Sequence, residues 1–159
     1  MMRRHTARAF PSLVLLMLVA IAAGAALAQV GPAVPFVTVA EGRTSGVHEP
    51  AQVVIRDQAT WLALWRRHMG TVDGPFPVIN FSRDMVIAIF GGESSEQRKV
   101  TIRRIVREPD RLEVSYTLVA IRPLPNAEEV VPTFPFQIVR LARSPLPVRF
   151  VQVKAPQVD

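Results

Sequence analysis

The residues that could do chemistry are few. Beyond position 28 the chain has two histidines, His48 and His68, and no cysteine. A metal site needs converging His, Cys, Asp or Glu ligands. No local spacing such as H-x-x-x-H supplies them, so the plainer reading of both histidines is solvated or packed. A hydrolase triad needs a nucleophile, a base and an orienting acid. Ser82-Arg83-Asp84 is the most suggestive cluster. It stands where a strand begins, without a G-x-S-x-G elbow, and reads as a turn. Glu128-Glu129 are adjacent carboxylates that could do general acid/base work, but a loop punctuated by proline leaves such pairs solvated. Gly91-Gly92 lacks the rest of G-x-G-x-x-G and a following helix, so it is no phosphate loop. The expectation is no catalytic residue, no metal ligand and no cofactor.

Two surface loops remain. Residues 91–98, G-G-E-S-S-E-Q-R, form a polar loop, and residues 121–135 form a proline-punctuated one. Proline-rich loops lose little entropy on docking and so suit protein contacts, although loops also merely connect strands. Gly91, Gly92, Glu93 and Arg98 of the first loop and Arg122 of the second are the candidate partner-binding residues. Arg98, Arg103, Arg104, Arg107 and Arg111 cluster around one hairpin, either as a solvated face or as a binder of anionic surfaces.

The elements that must position these residues follow from periodicity. Asp57 is a good helix N-cap, and Gly70 can end the helix. Trp61, Leu64, Trp65 and His68 fall at i, i+3, i+4, i+7, which puts both tryptophans on one face. Arg66 and Arg67 fall to the other side, near the helix end that favours positive charge. This predicts tryptophans that fill a core, with Trp65→Ala at least as damaging as Trp61→Ala because Trp61 lies nearer the helix start.

Strands are predicted at 36–40, 52–55, 85–90, 99–106, 112–119, 136–141 and 148–153. Met85 to Phe90 is apolar at every position, the pattern of a strand covered on both faces. Leu112, Val114, Tyr116 and Leu118 alternate with polar residues, as in a half-buried strand. The partner run loses phase at Arg104-Ile105, which a β-bulge would explain, and Glu108-Pro109-Asp110 makes the turn between them. The fold class is therefore α+β: a mainly antiparallel sheet or partly closed barrel of about seven strands, with one covering helix. The loop 91–98 is polar and follows a double glycine, so its replacement is expected to leave the melting temperature nearly unchanged.

The first 28 residues read as a leader. Arg3, Arg4 and Arg8 precede an uncharged apolar run, Leu13 to Leu27, and Ala26-Leu27-Ala28 matches the small-residue pattern of a cleavage site. Fifteen apolar residues are short of the roughly 20 that span a bilayer. Cleavage after Ala28 is expected, with an uncleaved anchor as the alternative. The mature chain would hold 159 − 28 = 131 residues, enough for one domain. With no cysteine it has no lipid anchor and no disulfides, and it would be periplasmic or secreted. Its charge, 16 − 13 = +3 once three leader arginines are removed, is mild and gives no case for nucleic acid.

Three stretches together resemble the C-terminal domain family of the bacterial protease complex subunit PrcB. They are S-G-V-H-E-P-A-Q-V-V-I-R-D-Q-A-T-W-L-A-L-W (45–65), N-F-S-R-D-M-V-I-A-I-F-G-G-E (80–93) and F-P-F-Q-I-V-R-L-A-R-S-P-L-P-V-R-F (134–150). The resemblance spans about residues 44–151. It divides the chain into a leader at 1–28, a short linker and strand at 29–43, and a PrcB-like domain at 44–154. It implies a small exported or lipid-anchored protein that associates with a partner protease and has no catalytic residues of its own. Members follow the central strand with a loop ending in Gly-Gly-Tyr, whereas here Ser94-Ser95-Glu96-Gln97-Arg98 stand in that place. The functional expectation is an exported non-catalytic binding module, an accessory or stabilising subunit of an envelope protease complex. An envelope hydrolase built from scattered carboxylates and a basic binder of anionic envelope components are the alternatives.

Overall fold

Six consecutive apolar residues, Met85 to Phe90, are all buried. Successive side chains of a strand point to opposite faces. Met85, Ile87 and Ile89 enter one apolar cluster, while Val86, Ala88 and Phe90 enter another. A strand buried on both faces needs a layer on each side, and that requirement organises the molecule. The computed structural model describes residues 31–70, 75–121 and 131–155. The predicted leader, Arg122 and Glu128-Glu129 lie outside them. The elements are β1 (Phe36–Gly42), β2 (Pro50–Ile55), α1 (Gln58–Met69), β3 (Asp84–Gly91), β4 (Arg98–Arg107), β5 (Leu112–Ala120), β6 (Phe136–Ala142) and β7 (Val148–Gln152).

The strands form two sheets. The first is antiparallel with strand order β1-β6-β3-β2, and the second has the order β4-β5-β7. One apolar cluster joins Met85, Ile87, Val139 and Leu141 of the first sheet to Val100, Ile105, Leu112 and Val114 of the second. The sheets are therefore stacked and form no closed barrel. The other cluster packs Trp61 and Trp65 of α1 against Val86, Ala88, Phe90 and Ile138. The layers run helix, four strands, three strands, an α+β build. Among the described residues no helix is long and apolar enough to cross a membrane.

Local signals account for most element ends. The Asp57 carboxylate accepts from Thr60 N at 2.8 Å, which satisfies one of the free amides of the first turn. Gly70 closes α1 at φ 66°, donating its N–H to Arg66 O at 3.0 Å. Ser82-Arg83 lie in a turn and Asp84 opens β3: Asn80 Oδ1 accepts from Ser82 N at 3.1 Å, and Asn80 O accepts from Asp84 N at 2.8 Å.

Two details differ from the sequence reading. The bulge falls between Ile102 and Arg104, so Arg103 is the extra residue, one position before the expected site. It leaves Arg103 and Arg104 both exposed between buried Ile102 and Ile105. The second difference is that β5 and β7 pair in parallel, Leu112↔Val148 to Tyr116↔Gln152. A parallel pair needs a crossover, and here β6, a strand of the opposite sheet, lies between them in sequence.

The two long sides of the sandwich are unlike. At the β4 side the outer strand edge is covered. Val34 N donates to Ile105 O at 2.8 Å and Arg107 N to Pro32 O at 3.0 Å. Gln137, buried on β6, receives Ile102 N on its Oε1 at 2.5 Å. At the β2–β7 side the sheets are linked by side chains, with Gln52 Nε2 donating to Tyr116 OH at 2.7 Å.

Candidate functional site

The expected binding loop follows β3, and its main chain is tied down. Gly91 N donates to Pro135 O (2.7 Å), Glu93 N to His48 O (2.9 Å), and Ser94 and Thr133 exchange N–H to O bonds in both directions (2.9 Å each). Thr133 Oγ1 also donates to Glu96 O at 3.1 Å. Gly92 is at φ 77°, a region L side chains rarely adopt, and a Cβ there would lie 2.7 Å from Pro50 Cδ. Segments 43–50, 91–98 and 131–135 therefore form one interlocked surface at one end of the sandwich. Phe134 N donates to Arg43 O at 2.8 Å, and Ile121 N to Gln97 O at 2.6 Å.

That surface is polar and largely outward facing. Glu93, Ser95, Glu96, Arg43, His48 and Glu49 are exposed. His48 stacks on Phe134 with ring centroids 4.3 Å apart. Arg98 forms an ion pair with Glu96 at 2.9 Å, both side chains well exposed, and Arg43 hydrogen-bonds Gln97. Of the expected partner-binding residues, Gly91, Gly92, Glu93 and Arg98 are brought together here. The two glycines shape the main chain, and Glu93 and Arg98 present charge.

Beneath the loops the open side of the sandwich holds a cleft of about 350 Å³. Pro50, Ile89, Gly91, Val100 and Leu118 line it, and Gln52, Tyr116 and Gln152 bring polar groups. Among the described residues Tyr116 is its one ionisable side chain. A second opening of about 730 Å³, lined by Leu118 and Gln152 to Ala155, adjoins it. The cleft was hidden in the sequence because its polar residues come from three strands of two sheets.

One buried polar pair was also unforeseen. Ser45 Oγ lies 2.9 Å from His68 Nδ1 and accepts from Val47 N at 3.0 Å. Ser45 thus bridges the loop to α1, and Gly46 N adds a bond to His68 O at 2.8 Å. Phe136, Phe90 and Trp65 surround the ring. Burial pushes the His68 pKa below its usual value, which favours the neutral imidazole. The pair thus fastens segment 43–47 to the helix. Among the described residues no group of three or more His, Cys, Asp or Glu side chains is placed to hold a metal ion.

No family model, no curated protein and no solved structure matches the chain.

Proposed function

We propose that the chain is an exported binding module that engages a partner protein through the loop end of its sandwich. The observation that carries this reading is the interlocking of segments 43–50, 91–98 and 131–135 by main-chain hydrogen bonds beneath exposed polar side chains. A surface ordered before contact loses little conformational entropy on binding, and loops held by a rigid scaffold are the usual site of recognition. The likeness to the PrcB C-terminal domain makes an envelope protease the first partner to test, with the chain as its accessory or stabilising subunit. Affinity capture from the envelope fraction of expressing cells checks it. The wild-type chain should retain a protease in stoichiometric amount, and Glu93→Lys with Arg98→Glu should lose it. Recovery of no partner by either form would sink the reading.

A second reading draws on the bulge. Arg103 and Arg104 project together from the face of the second sheet that no described element covers, opposite Ser115. Neither makes an ion pair among the described residues. Adjacent like charges repel, and an anionic envelope surface would relieve the repulsion. Binding of this kind weakens steeply as salt is raised. Adsorption to anionic vesicles that is unchanged between low and high salt would exclude it.

A further inference from the structure

The second sheet is unfinished at the loop end. β5 pairs with β4 up to Arg98↔Ala120, but its pairing with β7 stops at Tyr116↔Gln152. The last main-chain bonds on that flank show which groups point into the gap. Leu112 N donates to Pro147 O and Tyr116 O accepts from Val153 N. Successive residues of a strand turn their N–H and C=O groups to alternate sides. Leu118 and Ala120 therefore aim both groups at the flank that β7 has left. Ile121 N turns the other way, to Gln97 O on the β4 side, as the alternation requires. Among the described residues, Leu118 and Ala120 have no main-chain partner on the β7 side.

Residues 152–155 line the larger opening together with Leu118, so space is present where the next stretch of strand would lie. The opening shares Leu118 and Gln152 with the apolar cleft between the sheets. Lys154 stands at its wall, exposed and without an ion pair among the described residues.

We propose that this slot takes an extended peptide segment of the partner, which adds to β5 in line with β7. The reading of the chain as a binding module underlies this proposal. Each part of the slot specifies part of the occupant. The groups of Leu118 and Ala120, unpaired on this side among the described residues, call for a polypeptide main chain, the basis of recognition by strand addition. An inward-facing residue of the added strand reaches the cleft walled by Ile89, Val100 and Leu118, which suits an apolar side chain. Lys154 favours a carboxylate on the outer part of the segment. At the opposite seam the equivalent edge is already occupied by residues 32–34 and Gln137, so the slot belongs to this side alone.

The probe is a displayed library of random decapeptides, selected on protein purified from cells expressing the full chain. Enriched peptides are expected to carry an apolar residue next to an acidic one. Their binding should slow amide exchange at Leu118 and Ala120. Ala120→Pro removes a donor aimed at the slot and touches no β4–β5 ladder bond, so it should weaken the selected peptides by about tenfold or more. Lys154→Glu, on an exposed side chain, should weaken the acidic peptides while keeping the fold. Failure of the library to enrich overturns the proposal, as do peptides that bind Ala120→Pro unchanged. Protection of Leu118 and Ala120 that appears without peptide as protein concentration rises would assign the slot to a second copy of the chain and also overturn it. Capture of a protease that is lost in the Glu93→Lys, Arg98→Glu form and intact in Ala120→Pro would sink the slot while leaving the binding module standing.

Discussion

Ser45 Oγ sits 2.9 Å from His68 Nδ1 inside the apolar layer between α1 and the first sheet. Burial holds the imidazole below its ordinary pKa of 6.5. As pH falls, the unfolded chain therefore takes up this proton before the folded one does. The stabilisation is complete above 6.5 and declines as pH drops from 6.5 toward the folded value. Urea midpoints should fall between about pH 7.5 and about pH 5. His68→Asn should reduce that slope, since His48 is then the only histidine beyond residue 28. An equal slope in both proteins would remove His68 as its source.

Gln137 supplies the acceptor for Ile102 N across the gap between the sheets and donates to Thr38 Oγ1 and Glu41 Oε2 at 3.3 Å. Gln137→Leu keeps the bulk and strands a buried amide, which costs about 1–3 kcal/mol. The Ile102 amide should also exchange faster than its neighbours. Unchanged exchange there would mean another acceptor takes over.

Truncation of the tryptophans should reverse the order expected from their positions in the helix. Trp61 is fully buried and donates Nε1–H to Pro77 O at 3.0 Å. Trp65 is 9% exposed, and its buried Nε1 finds no partner among the described residues. Trp61→Ala should lose about 3–5 kcal/mol. Trp65→Phe removes the stranded donor and should cost less than Trp61→Phe in the same denaturant titration.

Gly92→Ala tests the ordering of the loop. Its positive φ and the close approach to Pro50 leave no room for a methyl group. A loss of about 1–3 kcal/mol is expected for the strained backbone. A neutral result would mean that the loop moves freely, and the preorganised surface would lose its support. By the same reasoning, replacing residues 91–98 with a flexible linker should lower the melting temperature, contrary to what the polarity of the loop suggested.

Much of the fold was legible because single residues carried it. Leu112 to Leu118 alternate cleanly, Met85 to Phe90 do not alternate at all, and Asp57 and Gly70 bracket the helix. These signals are local, and local physics produces them. The parallel pairing of β5 with β7 is non-local, since nothing in Val148 to Gln152 says which strand they will lie beside. Gln137 read as one polar residue in an apolar run, and its task depends on the Ile102 amide at the outer edge of β4, a strand of the other sheet. Two glycines and a polar run marked the loop 91–98, but its bonds to His48, Thr133 and Pro135 join segments far apart in the chain. Arg122, expected in the same site, lies beyond the described residues.

The strand order β1-β6-β3-β2 also constrains how the chain acquires its shape. β6 lies between β1 and β3, so Phe36 waits for Leu141 and the first sheet stays split until late residues arrive. Hairpin β4–β5 needs only its own turn and can form early. β7 reaches β5 only after β6 has been laid down in the other sheet. Pairings between distant segments are slow because loop closure precedes any gain from contact. Acquisition of structure should therefore run from the β4–β5 hairpin outward, with β1 and β7 settling last. Until β6 docks, the apolar edges of β1 and β3 stand open to other chains.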